Sequence, residues 1–486
     1  MLPMPSAAHP ITSPRSRLFI GGAWSDGDEG TVPVLDKYSG ETIGTVDQAS
    51  RAQVDAAVAA ARQSFEHNVL DPQQRYRMLM KAATLVEQHR AELAALITAE
   101  SGMPVTDAAV EAGRTAQTFI IAAEEAKRLS GEMVPIEAAP GQAHRMAFTI
   151  RVPRGVVCGI TSFNAPLNMV AHKVAPALAS GNTIVVKPSD LTPFSATRLF
   201  ELLLEAGCPP EHINLVHGPG SMLGPWLVEN PDISFFTFTG GTAAGKWIRE
   251  RVGLRPVALE LGSISATIVC EDADLPRAAA RCAASGFRRA GQMCTSTQRL
   301  FVHEDVVEAF TNHLVQTVRS LKVGNPHDPA TDVGPMISER EAMRAESWVT
   351  EAISSGARLV EGGRRDGALF HPTILTDVRG AMRVMCEEIF APVLSIVPFT
   401  RLDQAIDAVN ATPFGLAAGL FTRDLTRALT AARRIHVGVV HLNEPSSSRV
   451  DLIPFAGVKD SGVGREGPKY AMQEMTEERL ITISLS

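Results

Sequence analysis

Along the first quarter of the chain, apolar residues recur at helical spacing. Ser50 with Gln53 forms a capping-box pattern ahead of "VDAAVAAARQSF", and Asp71-Pro72 opens a long amphipathic run that closes near Gly102. This stretch predicts an α-helical flank. From about residue 155 the period changes: "GVVCGIT", "TIVVKPS" and "INLVHG" are short apolar runs separated by the helical patterns "LNMVAHKVAPALASG" and "SATRLFELLLEAG". Apolar runs of that length between helices are buried parallel strands, so a βαβ sheet of dinucleotide-binding type is expected. A second alternating region, through "ATIVCEDA", "QRLFVHEDV", "FHPTILTDV" and "VLSIVPFT", predicts another α/β domain. The segments "GEMVPIEAAPGQAHRMAFTIRVP" and "RLITISLS" read as strands without a home in either sheet. They predict a projecting arm that pairs with another subunit.

The expected organisation is a loose tail over 1–15, a dinucleotide-binding domain over 16–127 and 148–261, a second domain over 262–450, and an arm over 128–147 and 470–486. A chain of 486 residues is long enough for two or three such cores. The formal net charge of −7 gives no electrostatic case for nucleic acid or an anionic membrane. The opening "MLPMPSAAHPITSPRSR" lacks a basic stretch followed by an apolar run, so neither a signal peptide nor a membrane anchor is expected, and no apolar run approaches the ~20 residues of a membrane helix. A cytoplasmic protein is the expectation. Cysteines 158, 208, 270, 282, 294 and 386 are scattered, without CxxC or Cys/His ligand spacing, which argues against disulfides and against a bound metal.

Candidate chemistry changes this picture. "GPGSMLG", with Gly220 and Gly224, and "TGGTAAG", with Thr239, Gly240 and Gly241, each follow a strand-like run and precede a helix. That placement suits a dinucleotide, though neither fits GxGxxG, and glycines used simply for turns explain them equally well. Taken alone, Asn164 reads as a turn residue before Pro166 and Glu260 as a solvated carboxylate. Glu260, however, lies in the otherwise apolar "VALELG", where an unpaired carboxylate is costly without a purpose. Cys294 stands in "RRAGQMCTSTQR", among Gly, Gln, Thr and Ser.

Read in order, "SFNAP", "KPSD", "FTG", "LELG", "GQMCTS", "EEIFAPV" and "PFAGVKDSGVGREG" resemble the aldehyde dehydrogenase superfamily over nearly the whole chain after the tail. The resemblance implies an α/β fold with a Rossmann-like NAD-binding domain, a second α/β catalytic domain and a small β oligomerisation arm, assembled as a homodimer or homotetramer. It implies Cys294 as nucleophile, which must react as thiolate and therefore sit where negative charge is supported. Asn164 and the Cys294 backbone N–H would hold the oxyanion, and Glu260 would be the base that activates water against the thioester.

Cofactor positions carry over in the same way: Thr161, Ser162 and Phe163, then Lys187, Ser189 and Asp190 at the adenosine ribose, Gly220 and Gly224, then Phe238, Thr239, Gly240, Gly241 and Leu261. Glu388 and Phe390 match the residues at the nicotinamide ribose and ring. A carboxylate at Asp190 favours NAD, with NADP as the alternative. Ser263 and Ile264 after Glu-Leu-Gly, and Gly241 in place of the usual serine, depart from the family pattern.

For the substrate, the chain looks most like the branch of lactaldehyde, phosphonoacetaldehyde and non-phosphorylating glyceraldehyde-3-phosphate dehydrogenases. Ala165, Asn168, His172 and Arg288 stand at positions that line the aldehyde tunnel, with Met293, Thr295 and Phe455 nearby. Arg449 and Arg114 match anion-binding positions of the phosphonoacetaldehyde type, and an arginine fork suits a phosphonate, phosphate or carboxylate. The histidine and arginine of that type are replaced here by Ala165 and Met293. A small neutral or hydroxy aldehyde such as lactaldehyde, acyl transfer to coenzyme A, and a catalytically silent scaffold are the rival readings. For Arg288 and Arg289 a solvated helix face with one ion pair is the alternative to a substrate role.

Overall fold

The computed structural model describes residues 14–485. The expected tail lies outside the described residues up to residue 13, but Arg15 already belongs to the fold. Arg15–Ser16 pairs in parallel with the strand Thr42–Asp47, and the Arg15 guanidinium makes hydrogen bonds of 2.8 and 2.9 Å to Asp47. The helical flank forms as Arg51–His67, Pro72–Gln88, Arg90–Ser101 and Val105–Ala126, with Ser50 and Asp71 each closing a capping box with the Gln three residues on. The run expected to continue unbroken to Gly102 is interrupted at His89 (φ −94°, ψ 14°), and Gly102 ends its second half in the left-handed conformation at φ 75°. Thr42–Asp47 and three more strands, Leu18–Ile20, Ala23–Ser25 and Thr31–Leu35, go beyond the sequence expectation, because at three to six residues they are too short for a sustained alternation.

Five parallel strands form the heart of the first sheet: Val156–Ile160, Thr183–Lys187, Ile213–Leu215, Ile233–Thr239 and Val257–Glu260. The chain runs outward from Val156–Ile160 in one direction through the next two strands, then returns to lay Ile233–Thr239 and Val257–Glu260 on the other side. A crevice opens where the order reverses, outside the carboxyl ends of the strands, and such crevices hold ligands in doubly wound sheets. The helix Pro166–Ala179, buried along nearly all its length, packs beneath this point.

The second sheet runs Arg358–Glu361, Thr373–Thr376, Val393–Phe399, Arg299–His303, Ala266–Val269, Ala417–Phe421, Val439–Leu442, parallel except at its first pair. The loops that lead into its strands at 266, 299 and 393 carry Ser263, Cys294 and Glu388. Gly462–Val463 then returns to pair antiparallel with Val257–Glu260 at the edge of the first sheet. The expected arm is a separate antiparallel sheet in which Arg145–Pro153 lies between Thr476–Ser484 and Met133–Val134. Among the described residues no helix is long and apolar enough to cross a membrane.

Candidate active site

Residues from the two sheets meet around Cys294, where two chambers share its side chain and that of Asn164. One, of about 360 Å³, is walled by Ser162, Phe163, Thr239, Gly240, Gly241, Glu260, Leu261, Glu388 and Phe390. The other, of about 320 Å³, is walled by Asn168, Met293 and Thr295 together with five arginines and a single carboxylate, Glu111. The thiol therefore stands between a chamber whose strand ends and glycine turns are joined by charges of both signs, Arg340, Arg344 and Glu341 among them, and a chamber whose charge is almost all arginine.

The first chamber suits a flat, extended cofactor. Gly241 caps the helix Thr242–Arg251 without a side-chain hydrogen bond, and a Cβ at Gly241, Gly220 or Gly224 would meet nothing within 4 Å. The helix N-terminus is thus open at the chamber's edge. Gly262 N–H donates to Thr242 Oγ1 (3.1 Å) and Ser263 N–H to Glu388 Oε1 (2.8 Å). The unusual Ser263 consequently keeps the backbone contact that fixes Glu388, while its hydroxyl turns aside to Ser265 (2.9 Å). Phe390, at φ 49°, meets Phe163 edge-on with ring centroids 5.9 Å apart.

Farther out, buried Lys187 lies 3.6 Å from Asp190, whose Oδ1 accepts from Gly218 N–H (2.9 Å), and Ser189 Oγ accepts from Leu191 N–H (3.3 Å). Lys187, Ser189, Asp190, Gly220 and Gly224 lie outside the chamber wall, as do Thr161, buried with an unpartnered hydroxyl, and Phe238, whose ring packs under Gly240.

The candidate reactive groups are tightly held. Asn164 Nδ2 donates to Gln292 O (2.8 Å) and its Oδ1 accepts from Ser162 Oγ (2.7 Å), so the amide is already fixed against the Cys294 loop. The resemblance implies a thiolate at Cys294; burial pushes its thiol up to about 12, with Arg449 opposing and Glu260, Glu388 and Glu466 adding to the rise. Burial and the charge of Glu466 likewise push Glu260 well above the usual carboxylate range, and its Oε2 has no hydrogen-bond partner. Burial should also raise Glu466, but Lys173 and Arg449 hold it far below the ordinary range. Lys173 donates to Glu466 and to Thr239 Oγ1 (2.7 Å).

In the second chamber each arginine turns one side to an acid. Arg449 is 3.0 Å from Glu466 and lies 3.9 Å over the ring of Phe455; Arg114 makes bonds of 2.7 and 3.0 Å to Asp451; Arg288 is 2.6 Å from Asp107. Several expectations change here. His172 does not line the tunnel: it is buried behind the wall, with Nε2 2.9 Å from Asp451, because the helix that carries it turns that face inward. Phe455 is likewise buried and serves Arg449 as a platform rather than facing the chamber. Asn168 is almost wholly enclosed, accepting from Thr118 Oγ1 (3.0 Å). Arg289 is not on a solvated helix face, since the helix ends at Phe287 and Arg289 is buried in a left-handed turn, paired with Glu111 at 3.1 Å.

Lys173, Glu466, Asp451, Glu111 and Gln292 escaped the sequence reading. Lys173 could have been found by the argument used for Glu260, as an ionisable residue inside the apolar run "NMVAHKVAPALA". Asp451 and Glu466, on loops, and Glu111, in a helix of mixed polarity, carry no such signal.

A Rossmann-like sheet whose crevice faces the loops of a second α/β sheet defines the class of a dinucleotide-linked enzyme. Residues 24–481 match the aldehyde dehydrogenase family, and the chain belongs to that family. It is 47% identical over 468 residues to a 3-sulfolactaldehyde dehydrogenase of Priestia megaterium, covering 96% of this chain and 98% of that protein. The glyceraldehyde-3-phosphate dehydrogenase of Methanocaldococcus jannaschii, solved with NADP, superposes with a TM-score of 0.90 at 38% identity, covering 94% of this chain and all of that one. An aldehyde dehydrogenase of Physcomitrella patens, solved with its product succinate, superposes at 0.95 with 35% identity, covering 98% and 99%.

Proposed function

We propose that this enzyme oxidises a small anionic aldehyde to its carboxylic acid with NAD as hydride acceptor, NADP being the alternative cofactor. The observation that carries this reading is the arginine-walled chamber on one side of Cys294. Its partner acids Asp451, Asp107 and Glu466 stand behind the wall, so the guanidinium groups define the chamber's charge, and Arg449 Nε has no hydrogen-bond partner. The 3-sulfolactaldehyde dehydrogenase at 47% identity and the neighbour with bound succinate both support an anionic substrate.

In this reading Cys294 gives up its proton to water in the chamber, and its sulfur attacks the aldehyde carbon. Asn164 Nδ2 and the Cys294 N–H meet the oxyanion. The nicotinamide cofactor, held by Glu388 and the crevice residues, supplies the hydride acceptor. Glu260 then takes a proton from the water that opens the thioester, and the acid leaves with the thiol restored. Acylating relatives lack the glutamate base, so Glu260 favours water over coenzyme A. Exposed Met133, Met146, Leu480 and Ile483 on the arm support assembly as a homodimer or homotetramer, and the composition supports a cytoplasmic location.

The test follows NADH absorbance with two- to four-carbon aldehydes carrying sulfonate, phosphonate, phosphate, carboxylate or no charge, with and without coenzyme A. Anionic aldehydes should show the higher kcat/KM, with no dependence on coenzyme A. A preference for uncharged aldehydes would overturn the substrate reading.

A further inference from the structure

The two donors that must converge on the oxyanion come from different parts of the chain. Asn164 follows a strand of the first sheet, whereas Cys294 lies on a loop entering the second. One buried ion pair spans that gap. Glu111, 1% exposed on the helix Val105–Ala126, accepts at Oε1 from the N–H groups of Leu167 (3.1 Å) and Asn168 (3.2 Å). These are orphan donors at the start of the helix that Asn164 leads into, whose N-cap Ala165 offers no side-chain bond. The other Glu111 oxygen lies 3.1 Å from Arg289 Nη2, and Arg289 Nη1 donates to the Asn164 backbone carbonyl (3.1 Å).

Arg289 also shapes the nucleophile's loop. Arg289, Ala290 and Gly291 hold φ of 54°, 52° and 69°, three successive left-handed residues of which only the last is glycine, so something must over-determine this turn. Arg289 O accepts from Gln292 N–H (3.1 Å) and Gln292 O accepts from Asn164 Nδ2 (2.8 Å), two residues before Cys294. One side chain thus touches the backbone of one oxyanion donor while its own backbone sets the loop of the other.

We propose that Glu111 and Arg289 are positioning residues that lock the Asn164 amide and the Cys294 N–H into one oxyanion hole. Their role rests on the nucleophilic reading of Cys294 but not on which aldehyde is oxidised.

The test uses p-nitrophenyl acetate, an uncharged ester that needs only thiol attack and an oxyanion hole. Sulfur adds to the acetyl carbon, p-nitrophenolate leaves, and its burst is read by absorbance in wild type, Cys294→Ala, Asn164→Ala, Arg289→Met, Glu111→Gln and Arg289→Met with Asn164→Ala. Losing an oxyanion donor costs about 100- to 1000-fold, so displacing one should slow the burst by about 10- to 100-fold in Arg289→Met. Because Arg289 acts through Asn164, adding Arg289→Met to Asn164→Ala should cost no more than about twofold further. Glu111→Gln keeps an oxygen for the two helix N–H groups but turns an uncharged amide NH2 in place of the acceptor toward Arg289, so it should fold even where Arg289→Met does not, and slow the burst by about 3- to 10-fold. Wild-type rates in Glu111→Gln, or losses that multiply in the double variant, overturn the positioning role. A burst that survives Cys294→Ala instead overturns the nucleophile assignment itself.

Discussion

The chambers on either side of Cys294 are similar in volume, about 360 and 320 Å³, but differ in how their charge is balanced. The side proposed for the cofactor joins strand ends, glycine turns and an uncapped helix start to side chains of both signs, with Glu388 fixed by a peptide N–H. The side proposed for the substrate draws its arginines from helices at 114 and 281, the turn at 288–289 and the loop at 449, each paired with an acid. Strand ends and glycine turns suit a cofactor shared by many reactions, while paired charges can be exchanged residue by residue to suit a different aldehyde.

The largest effect that would sharpen this comparison is expected where the chambers meet. Glu260→Gln should permit the first hydride transfer and then stall at the thioester, because the base mainly serves hydrolysis. A single burst of NADH per active site followed by turnover about 100- to 10,000-fold slower is the expected trace. Wild-type steady-state turnover in this variant would show that Glu260 is not the base.

The next effect belongs to the substrate side alone. Arg449→Ala removes the buried cation nearest the chemistry, and a charge-assisted hydrogen bond is worth about 1.5–3 kcal/mol, roughly tenfold to over a hundredfold in kcat/KM. The loss should fall on an anionic aldehyde and spare its uncharged analogue and the Kd for NAD. Equal losses on both aldehydes would mean that Arg449 holds Glu466 in place rather than the substrate.

The same contrast governs what the sequence makes legible. The alternation of apolar runs and helices points to both sheets, and the family-like motifs mark Cys294, Asn164 and Glu260, because local pattern and local chemistry coincide there. The short strands before residue 50 are missed since their pairing partners, not their own composition, make them strands. Arg289 reads as a helix-face residue until the left-handed turn at 289–291 buries it, and a turn forced by tertiary contacts leaves no periodicity to read. His172 and Phe455 were placed one layer too close to the substrate, since position by resemblance gives the neighbourhood but not the side chain's facing. The state of Cys294 is least legible of all, because its thiol is raised by burial and by carboxylates from 260, 388 and 466, which only the fold assembles.

The smallest effect tests the cofactor side. Burial raises Glu388 to about 7, against the Ser263 N–H and the charge of Arg344. Its carboxylate is the form that accepts hydrogen bonds from ribose hydroxyls, so tight cofactor binding requires the ionised group. As pH falls through 7 the protein increasingly holds the proton, and binding must expel it; at one unit below that value only about a tenth of the molecules are ready. The Kd for NAD should therefore weaken by up to about tenfold between pH 8.5 and pH 6 and level off above pH 8, as read by titration calorimetry in two buffers that differ in ionisation heat. Glu388→Gln, which cannot ionise, should flatten that dependence at a weakened affinity. A wild-type Kd independent of pH across this range would mean that Glu388 meets the cofactor protonated or not at all, and the rest of the chamber would then account for its binding.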